Sequence, residues 1–431
     1  MNIKFLSGTK PQGLYSEKLP RFIDIVCDFK RPKVPNIEDS LRKNILSLAS
    51  LKKLPKGASV GITAGSRGIS GYCDILKIAG ELLRSQGLKP FAIPAMGSHG
   101  GGTAEGRREI LKGMGITEKS CGIPIRGGDS YVKIGTLPNG ITVYTDREAL
   151  GADGIIIFNR IKPHTDFEGT HESGLLKMTA VGLGGPQGAA QIHSMGIKGL
   201  KECIIPAAKK IFSAIHLMAG LGIVENSAGE TAIIKAFEAD EIIDGEKKLL
   251  KIAKKLHPSL PAGNIDLLVV DRMGKEISGT GMDTHVIGRK VIRFEHESEK
   301  PRITRIVVLD LTRQSKGNAA GLALADIITE RFFKKIDFDA FYFNAITSTF
   351  IDRGKIPVVV KNDREAFALA IKSAWVRAPE RARIIRIKDT LSLERMSVSE
   401  DVYRSIAGNK SISKKGGFYN LRFDARGNLV R

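Results

Sequence analysis

Residues 58–83 read ASVGITAGSRGISGYCDILKIAGELL. The stretch opens on a short β-prone apolar run, Ala58 to Thr63, and ends that run in a Gly/Ser-rich turn at residues 64–71. Beyond the turn, apolar residues recur at Ile75, Leu76, Ile78, Ala79, Leu82 and Leu83, the spacing of one helix face. Strand, polar turn and helix make half of a βαβ unit. The pattern repeats at once: a strand at 89–94, a glycine-rich loop at 95–103 and a helical stretch at 104–114. Such alternation predicts a parallel sheet with its loops gathered at the strands' carboxyl ends.

Working outward, residues 20–26 hold an early strand around Phe22-Ile23-Asp24-Ile25-Val26, and 38–53 are helical in period. Residues 120–148 are more β-like, with a Leu137-Pro138-Asn139-Gly140 turn that predicts a hairpin. An apolar run, Gly154 to Phe158, reads as a further strand. Residues 199–218 and 228–256 read as amphipathic helices broken near 220–226.

At 431 residues the chain exceeds what one core usually supports. The strongest boundary is residues 256–263, LHPSLPAG, after a Lys-rich helix end. A second set of strands and polar loops follows, at 265–270 with 274–288 and at 306–311 with 312–318. The expected class is α/β: two α/β domains with mainly parallel sheets and a cleft between them. Residues 1–262 are expected to form the first domain and 263–395 the second. Residues 396–431 would be a basic tail returning to the first.

Lys and Arg outnumber Asp and Glu by 67 to 46, a net +21. That excess suits nucleic acid, an electrostatic funnel for an anionic small molecule, or a Lys-rich solvated surface. The basic residues are scattered, with no RNP, helix-turn-helix or zinc-finger pattern, which argues against nucleic acid. No apolar run reaches ~18 residues, so no membrane partner is expected. The opening MNIKFLSGTKPQGLY lacks the apolar block of a secretory signal, which predicts a cytoplasmic protein. Cys27, Cys73, Cys121 and Cys203 form no C-x-x-C pair, against a zinc ribbon, an iron–sulfur cluster or a disulfide framework.

Ligand-type side chains concentrate in residues 159–195, NRIKPHTDFEGTHESGLLKMTAVGLGGPQGAAQIHSM, just past the 154–158 strand. The stretch holds His164, His171, His193 and a lysine among apolar residues, Lys177. His99, in Gly97-Ser98-His99-Gly100, and His164, in Lys162-Pro163-His164, both follow strands. An imidazole can take and return a proton near neutral pH, and two on opposite sides of one carbon suit inversion of a stereocentre. The competing role is a loop or capping histidine. Lys177 is either a partly buried amine open to covalent chemistry or a lysine snorkelling from a helix. The glycines at 182–188, Gly184 and Gly185 among them, could offer backbone N–H groups to a phosphate. His193 could be a single metal ligand, too few for an ordinary zinc or iron site. Arg67 stands at a helix start where an anion is favoured, or is simply a surface arginine.

In this order, Arg67, the Gly-Ser-His of His99, the Pro-His of His164, the Ser-Gly-x-x-Lys of Lys177 and His193 resemble the nickel-pincer-dependent lactate racemase family. The resemblance implies a racemase or epimerase of a 2-hydroxy acid, with 1–262 as the cofactor-binding and catalytic domain. The cofactor would be a nickel pincer nucleotide, a pyridinium-3,5-bisthiocarboxylic acid mononucleotide with Ni. It would be attached through Lys177, its nickel also bound by His193. It further implies His99 and His164 as paired acid/base residues, Arg67 as the group orienting substrate, and cofactor-maturation enzymes as partners. Gln314 and Lys316, with the loop Asp283-Thr284-His285, are expected to face the cleft from the second domain. Three departures point away from lactate toward a different or larger 2-hydroxy acid. Ala64-Gly65-Ser66 stands where those enzymes carry an aspartate; the 166–172 segment is longer and more acidic; and Val181-Gly182 replaces Pro-Gly. The alternatives are a metal-dependent hydrolase or lyase using the same histidines, and a basic nucleic-acid-binding protein.

Overall fold

The computed structural model describes residues 18–293, 295–297 and 299–430. The opening segment MNIKFLSGTKPQGLY, on which the expectation of no secretory signal rests, lies outside them. The strands, in chain order, are β1 Phe22–Cys27, β2 Ser59–Ala64, β3 Lys89–Pro94, β4 Tyr131–Thr136, β5 Thr142–Asp146, β6 Gly154–Arg160, β7 Leu217–Glu225 and β8 Thr231–Glu238. They continue with β9 Asn264–Val270, β10 Arg302–Val308, β11 Ile327–Thr329, β12 Val358–Val360, β13 Ile384–Ile387, β14 Arg395–Ser399 and β15 Ile412–Tyr419. The protein is α/β, and its chain divides into two compact units, residues 30–257 and residues 18–29 with 258–430.

In the 30–257 unit a five-stranded sheet runs in the order β3-β2-β6-β7-β8. β3, β2, β6 and β7 are parallel and β8 is antiparallel. Strand β6 shows why the sheet is central. Ile155 and Ile157 enter one apolar cluster with the helices Ile204–Phe212 and Ile242–Leu256. Ile156 and Phe158 enter another with the helix Tyr72–Ser85. Alternate residues therefore meet helices on both faces, which is why the strand reads as a continuous apolar run. The hairpin β4–β5 turns through Leu137 to Gly140 as the sequence predicts.

Periodicity misled at β7 and β8. Residues 228–256 read as one helix, but Thr231–Glu238 is a strand and the helix occupies only Ile242–Leu256. The run LMAGLGIVE of β7, buried along nearly its whole length, carries no period that tells strand from helix.

The second unit holds an eight-stranded sheet ordered β12-β11-β10-β9-β13-β14-β1-β15. Its first five strands are parallel, and β14, β1 and β15 are joined antiparallel. The boundary falls at His257–Pro258, but the amino-terminal strand does not stay with residues 30–257. β1 pairs with β14 and β15, nearly four hundred residues away in sequence. Within the stretch expected as a basic tail lie most of β14, the helix Glu400–Ile406 and β15, both strands belonging to this sheet. A pairing over that separation leaves no local signal in the chain. No helix among the described residues is long and apolar enough to cross a membrane.

Candidate active site

The carboxyl ends of the neighbouring strands β3, β2 and β6 emit the three loops that carry His99, Arg67 and His164. Each loop is held by a specific device. After β2, the Gly65 N–H donates to the Tyr72 hydroxyl at 2.6 Å, and burial raises that phenol above its ordinary range. After β3, Gly97 adopts φ +58°, and a Cβ there would lie 3.1 Å from the Val181 carbonyl oxygen. Its N–H donates to the Gly182 oxygen at 3.3 Å, tying this loop to the segment beyond Lys177. Arg107, 1% exposed, donates to the carbonyls of Gly102 and Gly128 at 3.0 and 2.7 Å, bracing the far side of the His99 loop.

After β6, the backbones of Lys162 and Ser173 exchange hydrogen bonds of 2.9 and 3.2 Å and close residues 162–173 into a loop. Its interior is filled by Glu172, 1% exposed. That carboxylate accepts from the N–H groups of His164 (2.7 Å) and Gly169 (3.0 Å) and pairs with Lys254 at 2.5 Å. His164 is thereby fixed by its own backbone. The chain then passes through the extended Gly174 into a three-residue helix, Leu175–Lys177, and a π-helical turn, Met178–Leu183. π turns are rare and cluster at functional sites. Gly185 opens the helix Gly185–His193, which ends on His193.

These elements bring the predicted side chains together. The Lys177 amine is hydrogen-bonded to His164 Nε2. Burial, reinforced by the nearby Arg67 guanidinium and opposed by Asp166, lowers the lysine to about 8. His193 is held below its usual value by burial first, then by Lys177 and by His99, with Asp166 acting the other way. His99, Arg67, His164, Lys177 and His193 thus share one electrostatic neighbourhood.

The two imidazoles are set in opposite tautomers. His99 Nδ1 lies 2.9 Å from the Met96 carbonyl oxygen and 3.2 Å from Ser66 Oγ. A carbonyl only accepts, so the proton sits on Nδ1 and the basic lone pair on Nε2. His164 Nδ1 instead accepts the Asp166 N–H at 3.1 Å, which places the neutral ring's proton on Nε2, facing Lys177. The amine must then accept, as a neutral amine can and an ammonium cannot. With the lysine lowered to about 8, that neutral form becomes the major one only above about pH 8.

Asp166 is the residue the sequence reading left without a role. Its carboxylate lies 3.8 Å from His164 Nδ1 and is anchored by the Thr165 hydroxyl at 3.0 Å. Nothing in the acidic run 166–172 singles it out from its neighbours. His171 serves elsewhere: its ring is engaged by the Ile243 carbonyl at 2.8 Å and by Thr170, as a loop staple. Gly184 and Gly185 have a packing reason to be glycine. A Cβ on Gly184 would lie 2.4 Å from the Ala180 oxygen, and one on Gly185 would meet the Tyr131 ring at 2.1 Å. Gln314 and Lys316 belong to the other unit, in the turn after β10, where Lys316 takes φ +47°. There too Asp283 caps a short helix by accepting from the His285 N–H at 2.9 Å.

Among the described residues no group of three or more His, Cys, Asp or Glu could hold a metal ion. A buried amine of lowered pKa beside a single imidazole nevertheless fits a group that is attached covalently and brings further metal donors of its own.

No protein-family model matches the chain, and no curated protein matches it. Among solved structures it is similar to the lactate racemase apoprotein from Thermoanaerobacterium thermosaccharolyticum. The identity is 14% and the TM-score 0.49, over 86% of this chain and 99% of that one. That likeness is too distant to bear on function.

Proposed function

We propose that the chain is a racemase or epimerase of a 2-hydroxy acid, acting through a nickel pincer nucleotide attached at Lys177 and ligated by His193. The observation that carries this reading is the buried Lys177 amine, lowered to about 8 and bonded to one of two imidazoles held at a strand-end site. When bound, the nucleotide would supply a hydride acceptor for the substrate's α-carbon. The protein supplies the proton chemistry and the positioning.

In this proposal Arg67 holds the substrate carboxylate, and His99 Nε2, which carries the lone pair, takes the hydroxyl proton. His164, once doubly protonated from solvent with its Nδ1–H turned to the Asp166 carboxylate, donates its Nε2 proton when the hydroxyl is restored from the other face and is left neutral. Reversal requires His164 to become the base. Asp166 makes that possible, because it presents both a donor N–H and an acceptor carboxylate to the same Nδ1. Turning Nδ1–H toward the carboxylate frees the Nε2 lone pair. The excess of basic charge favours an anionic substrate.

The test is to produce the protein together with pincer-maturation enzymes. Added mass on Lys177, bound nickel and racemisation of a panel of chiral 2-hydroxy acids in heavy water are then measured. Added mass on Lys177 with α-deuterium incorporation is expected. Folded protein with neither would defeat the reading.

A further inference from the structure

The helix that carries Lys177 is three residues long before it widens into the π turn. So short a helix has no stability of its own, and its direction must come from tertiary contacts. The contact at its start is a carboxylate. Glu246, on the helix Ile242–Leu256, is fully buried, and its Oε2 accepts from the Leu176 N–H at 2.9 Å. Its other oxygen, Oε1, is buried without a hydrogen-bond partner. Glu246 stands in the same apolar stripe as Ile242, Leu249, Leu250 and Ala253, where an aliphatic residue would pack at no desolvation cost. Such an orphaned buried oxygen calls for a reason.

The joint before the helix is shaped around this carboxylate. A Cβ on Gly174 would meet Glu246 Cδ at 2.6 Å and its two oxygens at 2.7 and 2.8 Å. Gly174 is itself extended, at φ −179°, so its backbone would accept any residue, and the nearest obstacle to one is the carboxylate. Asn159 holds the Gly174 carbonyl from the other side, donating through Nδ2 at 2.9 Å.

We propose that Glu246 is a positioning residue for Lys177: its carboxylate caps the first turn of the lysine's helix and so aims the amine at His164. The proposal rests on Lys177 being the reactive amine of the site. Burial pushes this carboxyl up to about 7, while the N–H groups of Leu176 and Leu175 favour its ionised form, as expected of a cap at a helix N-terminus.

The experiment acylates the full-length protein at neutral pH with an N-hydroxysuccinimide ester of acetate. Peptide mass spectrometry then follows Lys177 against the exposed Lys198. In the wild type Lys177 reacts faster than Lys198. Glu246→Ala slows Lys177 by about tenfold or more as the amine returns toward an ordinary lysine's protonation. Glu246→Gln, whose amide oxygen still accepts from Leu176, restores most of the rate. Gly174→Ala alone reproduces the loss, and adds nothing in the Glu246→Ala background. A folded Glu246→Ala protein labelled like the wild type overturns the proposal. If that variant does not fold, unchanged labelling of Gly174→Ala overturns it. A wild-type Lys177 no more reactive than Lys198 removes the lysine reading itself, and the proposal with it.

Discussion

Both units of the chain end parallel strands in polar loops, yet the two edges differ in how fully they compensate charge. In the 258–430 unit each of three strand ends carries an aspartate with a cation in contact. Asp271 after β9 takes both arms of Arg386, at 2.8 and 3.0 Å; Asp389 after β13 takes Arg272 at 3.0 Å; Asp310 after β10 takes Lys335 at 2.6 Å. Charges there are compensated where they stand, and they brace loops. At the ends of β2, β3 and β6, Arg67, Lys177, His99, His164 and His193 meet with Asp166 as the nearby acid. Lys177 and His193 are both held below their ordinary values. A fold gains nothing in stability by holding a buried amine below its ordinary value, so such shifts point to chemistry. Only one of the two edges has the marks of a reactive site.

The contrast breaks most visibly in turnover. In matured protein, His99→Ala and His164→Ala should each lower α-hydrogen exchange by about a thousandfold, the scale of losing an acid/base group, while mass is still added at Lys177. Lys177→Ala should lose the attachment altogether. Equal loss of attachment in all three would contradict the roles assigned to them.

On the compensated edge, Asp271→Ala leaves the largely buried Arg386 guanidinium without its bidentate partner. Denaturant unfolding should show a loss of about 3 kcal/mol, the order found when one member of a buried pair is removed. A loss within experimental error would mean that this edge is not held by its ion pairs.

On the reactive edge, removing the charge should do the reverse. The folded-state pKa of Lys177 lies below its unfolded value, so between about pH 8 and 10.5 the folded chain binds fewer protons than the unfolded one. Stability therefore rises with pH across that window, and the cost of holding the amine is fully present below pH 8. Lys177→Met should stabilise the protein at pH 7 by about 1–3 kcal/mol, allowing for partial exposure of the side chain. The gain should fade as pH approaches 10.5. A destabilised Lys177→Met would show that the lysine is structural.

The parts of this site legible in the chain were those written locally. β2, β3 and β6 are short apolar runs closed by Gly/Ser turns, and the residues at their ends, Arg67, His99 and His164, follow from the turns. Lys177 stood out because its neighbours are apolar. What could not be read locally was partnership. The pairing of β1 could not be read because its partners, β14 and β15, lie at the far end of the chain. Asp166 acquires a role only when the 162–173 loop closes and turns its N–H onto His164. Gly184 and Gly185 suggested a phosphate cradle, yet both sit where a Cβ would strike Ala180 or Tyr131. Glu246 did leave a trace, a carboxylate within an otherwise apolar helical stripe, which asks for an explanation wherever it occurs.

The central claim is that Lys177 is a buried amine, lowered to about 8 and aimed at His164. The pH dependence of Lys177 acylation, followed by peptide mass spectrometry on the unmodified wild-type chain, tests it most directly. A rate that rises with a midpoint near pH 8 is predicted. A midpoint near 10.5, the ordinary value for lysine, would contradict it.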